Sequence, residues 1–284
     1  MTHLLQKTLI NPDLTNENVK VFFDNLPIRR QSEVTKMWDK TNFYEIVYLS
    51  DGLKIKGFLV EPKKLKKSNS VIIYNRGGSK DVGMLDERAV YLRFIEYIKM
   101  GYIVIASQYR GSTGSEGKDE FGGGDIHDVL NLKNVLSEMS YVNIDRIGMI
   151  GGSRGGMMTY KALTMVDWIK TAIIEAGPTD IEHSYSYRPQ LKEYRRDMYD
   201  VESVEENRSR SALRFADKID KTVPILIFHG TADTSVSPLD TLRLCEKLQQ
   251  NGNPYELHIY KDVDHMLRSK DKWVQTRNWL KKYL

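Results

Sequence analysis

Short apolar runs alternate with amphipathic stretches along most of this chain, regularly enough to order its elements. The runs at 71–74, 102–106, 146–150, 171–174, 224–228 and 255–260 are rich in Ile, Val and aromatic residues and too short for helices, so they predict strands. Helical periodicity lies between them near 86–99, 125–139, 154–165 and 238–250, with a last stretch at 271–283. Upstream, 43–49 and 53–60 flank the turn Ser50-Asp51-Gly52 and predict an antiparallel hairpin. Strands separated by helices imply a mostly parallel sheet covered on both faces, with right-handed crossovers. Eight strands are expected in all.

Two regions break the alternation. Residues 1–42 carry Val21-Phe22-Phe23, Leu26 and Trp38 among polar neighbours and predict a helical strap packed on a catalytic domain spanning 43–284. The second is 178–222, between the sixth and seventh expected strands, at about 45 residues far longer than an ordinary connection. It holds Tyr185, Tyr187, Arg188, Tyr194, Arg195, Arg196 and Tyr199, and predicts a partly helical lid.

Composition narrows the function. The 284 residues suit one α/β domain, and 42 basic against 38 acidic residues leave a net charge of only +4. Basic residues are interleaved with acidic ones outside the 63–67 turn, so no nucleic-acid footprint is expected. The amino-terminal segment lacks a basic head and apolar run, and no apolar stretch is long enough to span a membrane; a cytoplasmic location is expected. Cys245 is the only cysteine, which excludes intrachain disulfides and Cys-based zinc sites. Its helical surroundings predict a buried thiol. No metal or organic cofactor is implied, and a homo-oligomer is compatible with everything so far.

The chemistry is concentrated where the fifth expected strand ends, in Gly151-Gly152-Ser153-Arg154-Gly155 followed by a helix-forming segment. Gly-x-Ser-x-Gly between strand and helix is the pattern of a nucleophile elbow, in which the backbone reverses within two residues and a side chain at either flanking glycine would collide with its neighbours. A base and an acid follow by elimination. Of six histidines, His3 is terminal, His127 and His183 lie in a helix and in the insertion, His258 is inside a strand, and His229 shapes the turn at Gly230. His265 alone occupies a loop after the last strand, where an imidazole can reach the elbow. Asp233 follows the seventh strand directly; Asp180 is its main rival, and Asp264 is too local to His265 to orient it. The chain order Ser153, Asp233, His265 is that of an α/β-hydrolase fold.

Four segments resemble the catalytic domain of the prolyl oligopeptidase family of serine peptidases. They are Tyr109-Arg110-Gly111-Ser112-Thr113-Gly114 with Phe121-Gly122-Gly123-Gly124-Asp125; Asp145-Arg146-Ile147 leading into the elbow; His229-Gly230-Thr231-Ala232-Asp233; and Asp264-His265. The resemblance spans residues 45–284 and implies a serine hydrolase acting on peptide or related acyl bonds. Family members usually carry a β-propeller that filters substrates, which forty residues cannot build. Release of dipeptides from a free amino terminus is therefore not implied. Arg154 stands where many members have an aromatic residue, and Asn75-Arg76-Gly77-Gly78-Ser79 replaces their usual turn.

The Arg154 backbone N–H and a donor near Gly77 or Gly78 are the expected oxyanion hole, with the Tyr74 hydroxyl a weaker candidate. Arg76, Tyr185 and Tyr187 are candidate substrate contacts. Arg76 and Arg154 either attract an acidic substrate group or pair with acidic residues of the insertion. The expected substrate is a peptide or small acyl compound; a carboxylesterase is the alternative, and a silent binding protein of the same fold a third reading.

Overall fold

A computed structural model describes residues 2–284. Nine strands form one sheet: β1 Leu4–Ile10, β2 Thr41–Ser50, β3 Leu53–Pro62, β4 Asn69–Asn75, β5 Ile103–Ser107, β6 Val142–Gly152, β7 Ile169–Glu175, β8 Ile225–Gly230 and β9 Tyr255–Tyr260. Their spatial order is β1-β2-β3-β5-β4-β6-β7-β8-β9. The first four in that row are joined by antiparallel ladders; from β5 onward every pairing is parallel. This is the α/β-hydrolase arrangement, with one strand more than the eight expected.

The buried runs follow from two covered faces. In β4, Val71 and Ile73 face one core while Ile72 and Tyr74 face the other, and β5 divides Ile103 and Ile105 from Val104 and Ala106 in the same way. One core is covered by α4 (Ile126–Leu130), α5 (Leu132–Ser137), α6 (Arg154–Ala162) and the 14-residue α11 (Pro238–Asn251). The other is covered by α1 (Glu17–Asp24), α2 (Ile28–Trp38), α3 (Phe94–Lys99) and α12 (Lys270–Tyr283).

The amino-terminal segment corrects the expectation of a separate strap. Phe23 stacks on Trp38 at 5.3 Å and both join the second core, as a strap would. Leu4–Ile10, however, pairs with β2 and extends the sheet itself, so residues 1–42 do not stand apart from the catalytic domain. Residues Leu5 to Leu9 are exposed, which removes the alternating pattern that marks a half-buried strand.

Region 178–222 folds as α7 (Ile181–Tyr187), α8 (Gln190–Arg195), α9 (Val204–Ser209) and α10 (Ala212–Phe215). It leaves the carboxyl end of β7, on the same side as the loops after β4, β6, β8 and β9. Because β5 lies on one flank of β4 and β6 on the other, the chain reverses its winding at β4, and a crevice opens there.

Candidate active site

Ser153 joins β6 to α6 with φ 52° and ψ −126°, a conformation that side-chain-bearing residues rarely adopt. Its surroundings require glycine. A Cβ at Gly151 would lie 2.1 Å from the Gly155 carbonyl oxygen, and one at Gly155 would lie 2.0 Å from that of Asn75. The Ser153 N–H donates to the Glu175 carbonyl at 2.8 Å, which ties the elbow to β7.

The loops after β8 and β9 bring Asp233 and His265 together, with Nδ1 of His265 2.7 Å from Oδ2 of Asp233. The other Asp233 oxygen accepts the backbone N–H groups of Ser235 and Val236 at 2.7 and 2.9 Å. Fully buried His229 places Nε2 3.1 Å from both Asp233 Oδ2 and the Val236 carbonyl oxygen. A carbonyl can only accept, so Nε2 carries the proton and Nδ1 accepts from the Thr241 hydroxyl at 2.8 Å. Burial opposes ionisation of Asp233, but the hydrogen bonds from His229, His265 and Val236 outweigh it and hold the carboxyl below the usual range. His229, assigned to turn formation from the sequence, thus also holds Asp233.

The remaining histidines and acids are engaged elsewhere. His3 pairs with Glu138, His127 with Asp51, His183 with Asp240 and His258 with Glu256. Asp180 caps α7 by accepting the His183 N–H at 3.1 Å, and Asp264 accepts the Met266 N–H at 3.0 Å. Cys245 is buried in α11, and burial pushes its thiol up to about 12.

Ser153 and His265 line one cavity of about 550 Å³. Gly78, Ser79 and Val82 form one side, Ser235 and Val236 another, and the insertion supplies the outer wall through Ser184, Arg188, Gln190, Leu191, Tyr194 and Arg195. Tyr194 fastens that wall to the Ser79 carbonyl at 3.2 Å, and Tyr187 fastens it to the Asp233 carbonyl at 2.8 Å.

Several candidates have other roles than expected. Tyr187 spends its hydroxyl on that tether, and Tyr185 is buried against the Tyr199 hydroxyl; neither lines the cavity. Tyr74 faces the second core, where its hydroxyl accepts from Arg93 and its ring packs 5.1 Å from Phe94, away from the elbow. Arg76 is buried and donates to the carbonyls of Gln108, Gly77, Lys80 and Val82 and to the Ser112 hydroxyl, which leaves it no reach toward substrate. The Arg154 side chain pairs with Asp119 at 2.7 Å and with Asp125, both in the loop after β5, not with the insertion. Its Nη1 also donates to the Gly78 carbonyl at 3.0 Å, locking the loop after β4 to the elbow.

That loop approaches closely. A Cβ at Gly77 would lie 3.3 Å from the Ser153 Cβ, and Gly78, at φ +70°, leaves no room for one beside the Val82 carbonyl. The Arg154 N–H opens α6 and so lies among the helix's unpaired donors. Among the described residues, no cluster of His, Cys, Asp and Glu could hold a metal, and no helix is long and apolar enough to cross a membrane.

Comparison with known proteins decides the family. The prolyl oligopeptidase family model matches residues 89–284. The chain belongs to the prolyl oligopeptidase family. It is a serine hydrolase. An uncharacterized peptidase, YtmA, of Bacillus subtilis (strain 168) is 32% identical over 245 residues, covering 84% of this chain and 93% of the relative. A probable dipeptidyl-aminopeptidase B of Talaromyces stipitatus is 29% identical over 213 residues, which are 69% of this family member but 22% of the fungal protein. Among solved structures, Pyrococcus horikoshii acylaminoacyl peptidase superposes with a TM-score of 0.76 at 22% identity, covering 89% of this chain and 43% of that one. At that identity the likeness speaks to the fold.

Proposed function

We propose that the protein is a peptidase that cleaves acyl bonds through a covalent intermediate on Ser153. The observation that carries this reading is the 2.7 Å His265–Asp233 contact beside a cavity holding a serine in a strained elbow. The Ser153 Oγ attacks the substrate carbonyl carbon while His265 takes its proton through Nε2. Asp233 holds the imidazole through Nδ1–H and stabilises its charged form. The developing oxyanion is received by the N–H of Arg154 and an N–H of the Gly77-Gly78 turn. Collapse breaks the C–N bond as the His265 proton passes to the leaving nitrogen; water then repeats the sequence on the acyl ester and restores Ser153.

The insertion, as the outer wall, is the substrate-selecting element in this reading. Fluorophosphonate labelling is expected at Ser153 in the wild-type protein. Peptidyl anilides run beside short-chain esters separate the two acyl classes: turnover confined to esters would overturn the peptidase assignment, and absence of labelling would overturn the mechanism.

The pH dependence follows from the two groups. Asp233 is held below the usual carboxylate range, so it is ionised at any pH above about 4, and its contribution to stability is complete there and lost as pH falls through its own lower value. An imidazole accepts a proton only when neutral. kcat/KM is therefore expected to fall on acidification, with no separate limb from Asp233 above about pH 4. A flat profile between pH 5 and 9 would remove His265 from the reaction.

A further inference from the structure

The cavity wall holds a charge imbalance that the triad does not explain. No Asp or Glu is among its lining residues, whereas Arg154, Arg188 and Arg195 are. Arg154 is accounted for: with Arg76 it faces Asp119 and Asp125, two cations against two carboxylates. Arg195 is not. It is 7% exposed, its Nε and Nη1 are buried without a hydrogen-bond partner, and it forms no ion pair among the described residues. Its guanidinium lies 3.7 Å over the Phe121 ring and 5.6 Å from that of Tyr185. Burial lowers its proton affinity; the Tyr185 and Tyr199 hydroxyls oppose this without reversing it, and the positive Arg154 adds to it, the sign expected of a cation lacking a carboxylate. Arg188, half-buried on the same wall, likewise has no carboxylate partner among the described residues.

Buried guanidinium donors without partners are costly, because burial removes their water without replacing those hydrogen bonds. Arginine's fork matches a carboxylate in a bidentate way, and the Phe121 ring face holds Arg195 while its Nε and Nη1 donors stay free. We propose that Arg195, assisted by Arg188, receives a carboxylate of the substrate, so that this hydrolase prefers acidic or carboxyl-terminal acyl substrates over neutral or cationic ones. A free substrate amine would find no carboxylate among the lining residues. The carboxylate can come from an acidic side chain or from a peptide carboxyl terminus. The proposal rests on the cavity at Ser153 being the substrate site.

Binding tests it without turnover. The Ser153→Ala protein is titrated by calorimetry with three acetylated tetrapeptides: Ala-Ala-Glu-Ala amide, Ala-Ala-Gln-Ala with a free carboxyl terminus, and Ala-Ala-Gln-Ala amide. At least one carboxylate peptide is expected to bind roughly tenfold to a hundredfold more tightly than the neutral amide, and which one does identifies the source. Adding Arg195→Met, which keeps an unbranched chain on Phe121, is expected to remove the difference. Arg195→Lys is expected to retain part of it and serves if the methionine variant does not fold. Three indistinguishable peptides would overturn the proposal, as would a preference that survives replacement of both Arg195 and Arg188. Fluorophosphonate labelling of the wild type judges the triad separately, so the two failures are distinct.

Discussion

Replacing Ser153 with alanine is expected to lower kcat by about four to six orders of magnitude while leaving the fold intact, as loss of a triad nucleophile does in serine hydrolases. The separation of effects follows from what the side chain touches. The elbow is held by the Ser153 N–H on Glu175 and by glycines at Gly151 and Gly155, none of which requires the hydroxyl. Alanine suffers the same positive φ as serine, so the strain is unchanged in kind. A circular dichroism melt within a few degrees of wild type, with hydrolysis lost, is the expected pair of results. A folded variant keeping more than a tenth of the wild-type rate would remove Ser153 from the nucleophile's role.

Most of the sheet was legible because the central stretches of β4 through β8 are buried on both faces, and only apolar, β-branched runs survive there. β1 was not, since an edge strand with five exposed residues owes its position to the β2 ladder and not to its own pattern. The elbow, the acid loop and the histidine loop carried local signals: glycines that only one geometry requires, and polar residues placed where strands end. The cavity wall carried none. Its helices are only six or seven residues long, too short for periodicity to reveal a facing side, so Tyr185 and Tyr187 looked as suitable as Leu191, Tyr194 or Arg195. The partners of Arg154 were equally hidden. Asp119 and Asp125 stood in a recognisable segment, but pairing across 35 and 29 residues is set by how β5 and β6 flank β4.

That hidden pairing leads to the largest expected effect on stability, at Arg154. The Arg154→Met variant would leave Asp119 and Asp125, each no more than 2% exposed, without the one cation ion-paired to both. Breaking a buried pair in this way costs about 3–5 kcal/mol, which for a chain of this size lowers Tm by roughly 6–20 °C. Activity should fall as well, because Nη1 of Arg154 also holds the Gly78 carbonyl and with it the loop beside Ser153. The pH response gives the mechanism away. Burial and the neighbouring carboxylates already raise Asp125 in the intact protein; without the arginine both acids are pushed upward, so the variant's deficit shrinks as pH falls and they take up protons. Adding Asp125→Asn to Arg154→Met removes the surplus buried charge while leaving Asp119 opposite Arg76, and should recover much of the lost stability at neutral pH. Denaturant melts of the wild type and the two variants at pH 5 and 7.5 test this directly: a single variant within about 1 kcal/mol of wild type, or a double variant less stable than the single one, would show that Arg154 contributes by packing on Tyr109 and Phe121 and not by charge.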